Sequence, residues 1–78
     1  MKTIKVLGSG CAKCDTTYRL IADVAKSRGT ELNLLKVEDM ASILAYGVLS
    51  TPGVVIDDKV VHMGSVPSKG AVENWLVD

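Results

Sequence analysis

Apolar and polar positions alternate over Thr3-Ile4-Lys5-Val6-Leu7, and with Ile4 and Val6 on one face this β-branched run predicts a strand. Gly8-Ser9-Gly10 stops it. From Cys11 to about Arg28, Tyr18, Ile21, Ala22 and Ala25 recur at spacings of three and four, the period of a helix with one buried stripe. Gly29 follows where a helix C-terminus favours glycine, and Lys26 and Arg28 complement the dipole just before it. Leu32, Leu34, Leu35 and Val37 make a nearly continuous apolar segment, which predicts a strand covered on both faces in the interior of a sheet.

Met40, Ile43 and Leu44 fall at helical spacing between acidic Glu38-Asp39 and Gly47, which predicts a short second helix from about Asp39 to Tyr46. Val54-Val55-Ile56 and Val60-Val61-His62-Met63 flank Asp57-Asp58-Lys59 and read as a hairpin whose turn lacks glycine. Ser68 is placed to cap a last helix carrying Val72, Trp75 and Leu76, with Gly70 weakening its first turn. The order is β-α-β-α-β-β-α. A strand joined to the next through a helix implies a parallel crossover, and the hairpin adds an antiparallel edge. The expected fold is therefore α/β, a four-stranded mixed sheet covered by three helices.

Size and composition narrow this further. At 78 residues the chain supports one core, so 1–78 reads as a single domain, and 47% apolar residues suffice to pack it. Nine basic and nine acidic residues cancel, leaving no net field to gather nucleic acid or anionic lipid. No apolar run approaches the roughly 20 residues of a membrane span, and Met1-Lys2 leads into a strand without an intervening apolar leader segment. The expectation is a cytoplasmic monomer with no nucleic-acid or membrane partner.

The chemistry concentrates at the two cysteines, Cys11 and Cys14, whose separation by two residues suits a redox pair or a metal site but not a disulfide framework. Cys11 falls where the first strand hands over to the first helix. Unpaired N–H groups at such a terminus favour thiolate, lowering a thiol from about 8.5 to about 7 or below. Lys13 pushes the same way if its ammonium swings toward the sulfur. Cys14, one turn later, is within disulfide reach and deeper against the sheet. Cys11 is then the attacking thiol and Cys14 the resolving one. Gly8 and Gly10 read as the tight turn that leaves Cys11 accessible. Gly8-Ser9-Gly10 lacks the Walker ending and the third glycine of a dinucleotide fingerprint, so it does not read as a phosphate cradle.

The assembled order, a CxxC at the head of the first helix and Pro52 opening the third strand together resemble the thioredoxin superfamily over almost the whole chain. The most specific stretch is Tyr46-Gly47-Val48-Leu49-Ser50-Thr51-Pro52, similar to the thioredoxin segment Tyr-Gly-Ile-Arg-Gly-Ile-Pro. Within the superfamily the chain looks closest to the short glutaredoxin-like redox-active disulfide proteins, which omit thioredoxin's extra N-terminal strand and helix. The resemblance implies a thiol-disulfide oxidoreductase with no cofactor and no metal, acting on disulfide-containing protein substrates and recharged by a reductase. It implies a nucleophile at Cys11, a resolver at Cys14 and a cis-proline at Pro52 beside them. The backbone of Thr51 pairs, on the same analogy, with an extended substrate. Gly10, Ala12 and Lys13 modulate the pair. Ala12-Lys13 stands where thioredoxins have Gly-Pro and many glutaredoxins Pro-Tyr. Ser65-Val66-Pro67 replaces the acidic dipeptide with which many glutaredoxins hold glutathione, and no counterpart is evident for the buried aspartate that assists thioredoxin's resolving cysteine.

The rival reading is a soft-metal module, because Gly10-Cys11-Ala12-Lys13-Cys14 after a strand also resembles the copper-chaperone loop, and thiolates suit Cu(I) and zinc. Ser9 stands where that loop usually has methionine, and zinc in one chain needs ligands that His62 alone does not complete. His62 reads as a surface or half-buried strand residue, Met40, Met63 and Trp75 as core or packing residues, and Asp57-Asp58 as turn residues. A module that keeps the fold but has lost turnover is a third possibility.

Overall fold

The computed structural model describes residues 2–9 and 12–76. Among them run β1 (Lys2–Leu7), α1 (Ala12–Arg28), β2 (Leu32–Val37), α2 (Met40–Ala45), β3 (Gly53–Ile56), β4 (Lys59–Met63) and α3 (Lys69–Trp75), the order expected from the pattern. The strands form one mixed sheet in the order β2-β1-β3-β4. β2 lies parallel to β1 in a register from Lys2 opposite Leu32 to Leu7 opposite Val37, and β1–β3 and β3–β4 are antiparallel. The α1 crossover sets β2 on one side of β1, and the hairpin takes the other.

Alternation along β1 divides the core between two faces. Ile4 and Val6 join Ile21, Val24 and Ala25 of α1, Val54 of β3, and Val72 and Leu76 at the α3 end in one cluster. Leu7 joins Ile43 of α2, Val48 and Val55 in the other. The sheet therefore has α1 and α3 on one face and α2 on the opposite face. The buried stripe of α1 runs through Cys14, Thr17, Ile21, Val24 and Ala25, so Tyr18 and Ala22 are only half-buried. Thr17 is tolerated at 0% exposure because its hydroxyl donates to Lys13 O at 2.8 Å.

Local signals fix the helix ends. Asp39 caps α2, its carboxylate accepting from Ser42 N at 3.0 Å, and Ser68 caps α3, its hydroxyl accepting from Ala71 N at 3.1 Å. Past α1, Thr30 N reaches back to Ala25 O at 2.9 Å around Gly29. The β3–β4 turn is made by Asp57 and Asp58 alone, with φ of 47° and 69°, so β4 begins at Lys59. Positive φ at both central positions gives the twist a two-residue hairpin needs.

Two expectations are corrected. The Leu32–Val37 strand is not interior: β2 is an edge strand, alternately half-buried and exposed, with Leu35 at 40% exposure. Met40 and Met63 are not core residues, being 62% and 46% exposed. Trp75 is half-buried against the α1–α3 cluster, and its ring lies 6.1 Å from that of half-buried His62. Among the described residues no helix is long and apolar enough to cross a membrane.

Candidate active site

The site assembles where β1, α1 and the segment before β3 meet. β1 ends on Leu7, fully buried, and Gly8 N donates to Val37 O at 2.9 Å, tying the strand's exit to the end of β2. Gly10 and Cys11 lie outside the described residues. Ala12 and Lys13 open α1 fully on the surface, followed by Cys14, which is 6% exposed and faces the sheet. The Thr16 and Thr17 hydroxyls fold back onto Ala12 O and Lys13 O at 2.9 and 2.8 Å, satisfying the side chains of this first turn without outside partners. Asp15 on its outer side meets Lys36 at 3.3 Å, whose ammonium stands 5.0 Å from the Tyr18 ring centroid.

The second component is the segment leading into β3. Thr51-Pro52 is a cis peptide, as the family resemblance implied, although the general preference of X–Pro bonds is trans. Thr51 is exposed and Pro52 buried. Pro52 O accepts from Gly64 N at 3.0 Å, so the loop after β4 pins the proline from outside, while Gly53 pairs with Leu7 from inside.

Gly8 joins these components. A Cβ built on its backbone, where φ is 154°, would fall 2.1 Å from Cys14 Sγ and 3.3 Å from Thr51 Cβ. Ordinary carbon contacts are about 3.5–4.0 Å, so the bare backbone of Gly8 lets the sulfur and Thr51 close on the same point. Cys14 and Thr51 are therefore brought together across nearly 40 residues of sequence, with Pro52 next along the chain from Thr51. The tight-turn reading of Gly8 missed this, because glycine spacing says nothing about which atom fills the space a side chain would take. Gly64 was also missed as the donor to Pro52; its place one residue beyond the last strand was the available signal.

The position six residues before Cys11 holds Lys5, on the α2 face of β1. Its Nζ donates to Tyr46 Oη at 2.8 Å and lies 3.9 Å from Asp58. The hydrogen bond donated to Tyr46 raises the lysine's pKa above its ordinary value; partial burial opposes this, and charge interactions with Tyr46 and Asp58 add to it. Among the described residues the buried polar side chain is that of Thr17, and no carboxylate is buried. His62 sits on β4 with Ser65 Oγ 3.1 Å from Nε2. Among the described residues no three His, Cys, Asp or Glu side chains converge as metal ligands. The element order also differs from the β-α-β-β-α-β of the ferredoxin-like fold shared by copper chaperones.

A helix-borne buried cysteine seated between a strand exit and a cis-proline loop, on a mixed sheet with helices on both faces, defines a thioredoxin-fold domain. The model of the thioredoxin domain family matches residues 2–77, and the chain belongs to that family, whose chemistry is thiol-disulfide oxidoreduction. It is 37% identical over 76 residues to a thioredoxin of Methanocaldococcus jannaschii, covering 97% of this chain and 87% of that protein. It is 30% identical to a thioredoxin of Methanothermobacter thermautotrophicus, with 97% and 99% covered. Among solved structures, a mutant thioredoxin from Halobacterium salinarum superposes with a TM-score of 0.73 at 18% identity, over 96% of this chain and 71% of the other. Thioredoxin-2, described as a component of the malaria parasite protein secretion machinery, gives 0.74 at 16% identity, over 96% and 80%. These two show the fold.

Proposed function

We propose that this oxidoreductase exchanges disulfides with protein substrates through Cys11 and Cys14. The Cys11 thiolate attacks one sulfur of a target disulfide, forming a Cys11–target disulfide and releasing the target's other sulfur as thiolate. Cys14, deprotonated, then attacks the Cys11 sulfur. The Cys11–Cys14 disulfide forms, the mixed disulfide breaks, and the second target thiolate leaves. Two electrons have passed to the target, and a dithiol reductant must return them. Ala12 and Lys13 border the pair and tune it, Gly10 keeps its approach open, and the main chain of Thr51 beside Pro52 pairs with the extended substrate.

The observation that carries the reading is the seating of Cys14: buried at 6%, on the first turn of α1, against Gly8 and beside Thr51-Pro52. A sulfur placed so is reached through the neighbouring thiol, not from bulk solvent, which suits resolution better than first attack. The protein works in this reading as a cytoplasmic monomer, where glutathione and thioredoxin pools keep thiols reduced and favour reduction of targets.

The test is turnover of a protein disulfide with dithiothreitol as reductant, followed for the wild type, Cys11→Ser and Cys14→Ser, with metal analysis of the purified protein alongside. Loss of turnover in Cys11→Ser is expected, as is a trapped mixed disulfide when pre-reduced Cys14→Ser, freed of dithiothreitol, meets the target. Retained turnover in Cys11→Ser, or stoichiometric copper or zinc on the wild type, overturns the reading.

A further inference from the structure

The contacts around Gly8 assign it more than a turn. The volume a side chain would occupy there is filled by Cys14 Sγ, 2.1 Å from the ideal Cβ, with Cys14 Cβ at 3.2 Å and Thr51 Cβ at 3.3 Å. None of the three bodies that meet at this point can retreat cheaply. β1 is held by Leu7 at 0% exposure and by the Gly8 N to Val37 O bond. α1 is held by Ile21, Val24 and Ala25, packed into the cluster with Ile4, Val6 and Val54. Thr51 precedes Pro52, which is buried and bound through its carbonyl by Gly64 N. Close-packed interiors of this kind transmit a misfit to whichever coordinate is softest. Rotation about the Cys14 χ1 torsion, between staggered wells, moves the sulfur out of this point without moving either backbone.

We infer that Gly8 is a positioning residue for Cys14: its missing side chain is the niche that holds the sulfur between β1 and Thr51, and any side chain at position 8 turns the sulfur out of it. The inference rests on the resolving role proposed above for Cys14. It adds that the resolving sulfur is aimed by a glycine on the strand. A rotated Cys14 is more open to solvent and has left the seat from which it is proposed to resolve, so resolution slows while first attack is spared.

Two measurements test this. The reduced protein is mixed with an aromatic disulfide whose thiolate absorbs light. Attack by Cys11 releases one thiolate, and attack by Cys14 on the resulting mixed disulfide releases the second, so the wild type gives two thiolates per protein. Gly8→Ala is expected to slow release of the second thiolate about tenfold or more, a barrier higher by about 1.4 kcal/mol, with release of the first unchanged. Release of only one thiolate per protein by the wild type defeats the resolving role itself. Release of both thiolates by Gly8→Ala at the wild-type rate defeats the inference and leaves that role standing.

Because alanine at φ 154° also strains the backbone, stability is compared in two backgrounds. Gly8→Ala is expected to destabilise the Cys14 protein far more than the Cys14→Ala protein, where the sulfur is absent and the backbone strain is shared. If Gly8→Ala unfolds with Cys14 present and folds with Cys14→Ala, the niche is supported. Equal loss in both backgrounds overturns it.

Discussion

Asp58 offers a case where deleting a visible charge pair should cost less than the backbone it sits on. Its carboxylate lies 3.9 Å from Lys5 Nζ with its own side chain 85% exposed, so the pair belongs to the exposed class worth about 0–1 kcal/mol. Its φ of 69° lies in the left-handed region, which costs a residue with a Cβ about 1–2 kcal/mol; aspartate bears this more easily than most, and glycine does not pay it. Asp58→Gly and Asp58→Ala remove the same carboxylate and differ chiefly in compatibility with that φ. Part of the difference is offset by the larger unfolded-state entropy of glycine, about 0.4–1 kcal/mol. The alanine variant should therefore be the less stable by roughly 1 kcal/mol, which for a domain of this size separates the melting temperatures by about 4–8 °C. Thermal unfolding of the reduced proteins, followed by circular dichroism at one pH and salt concentration, measures it. If the two variants melt together, or alanine melts higher, the turn is not limited by its positive φ and the reasoning fails.

Two further outcomes are expected. Ser68→Ala removes the acceptor 3.1 Å from Ala71 N and should destabilise by about 1 kcal/mol in urea unfolding, whereas Ser68→Asp should retain most of the stability. Because the Lys5 pKa is raised on folding above its ordinary 10.5, the stability this lysine supplies is complete below that value and is lost as pH rises through the folded one. Urea midpoints across the alkaline range should therefore fall more steeply for the wild type than for Lys5→Met. Parallel curves would show that Tyr46 and Asp58 do not hold the charged form.

Much of the architecture is written locally. Periodicity placed all seven elements, and Ser68 and Gly29 sit where a cap and a helix end need them, because these choices depend on bonds within a few residues. The Cys11–Cys14 spacing likewise pointed to redox chemistry or metal before any fold was known. Leu32–Val37 shows where this stops. Apolar pattern reports whether the faces of a strand are covered, and Leu32 and Leu34 do pack against the α1 side. It carries no information about lateral neighbours, because edge and interior strands differ in backbone hydrogen bonding. The edge position followed instead from the hairpin claiming the far side of β1.

The same limit governs the site. From the sequence came the thiols, their order at the helix start and the proline, all of which are choices of residue type at short spacing. Only the tertiary structure decided that Cys14 and Thr51, the residue before Pro52, meet at one point and that Gly8 is the residue that lets them. That decision depends on the packing of α1 and the β3 segment against the end of β1, contacts between residues about 40 positions apart, and on a volume left empty of side chain. A sequence records which residue has no side chain; the fold determines which sulfur occupies the space.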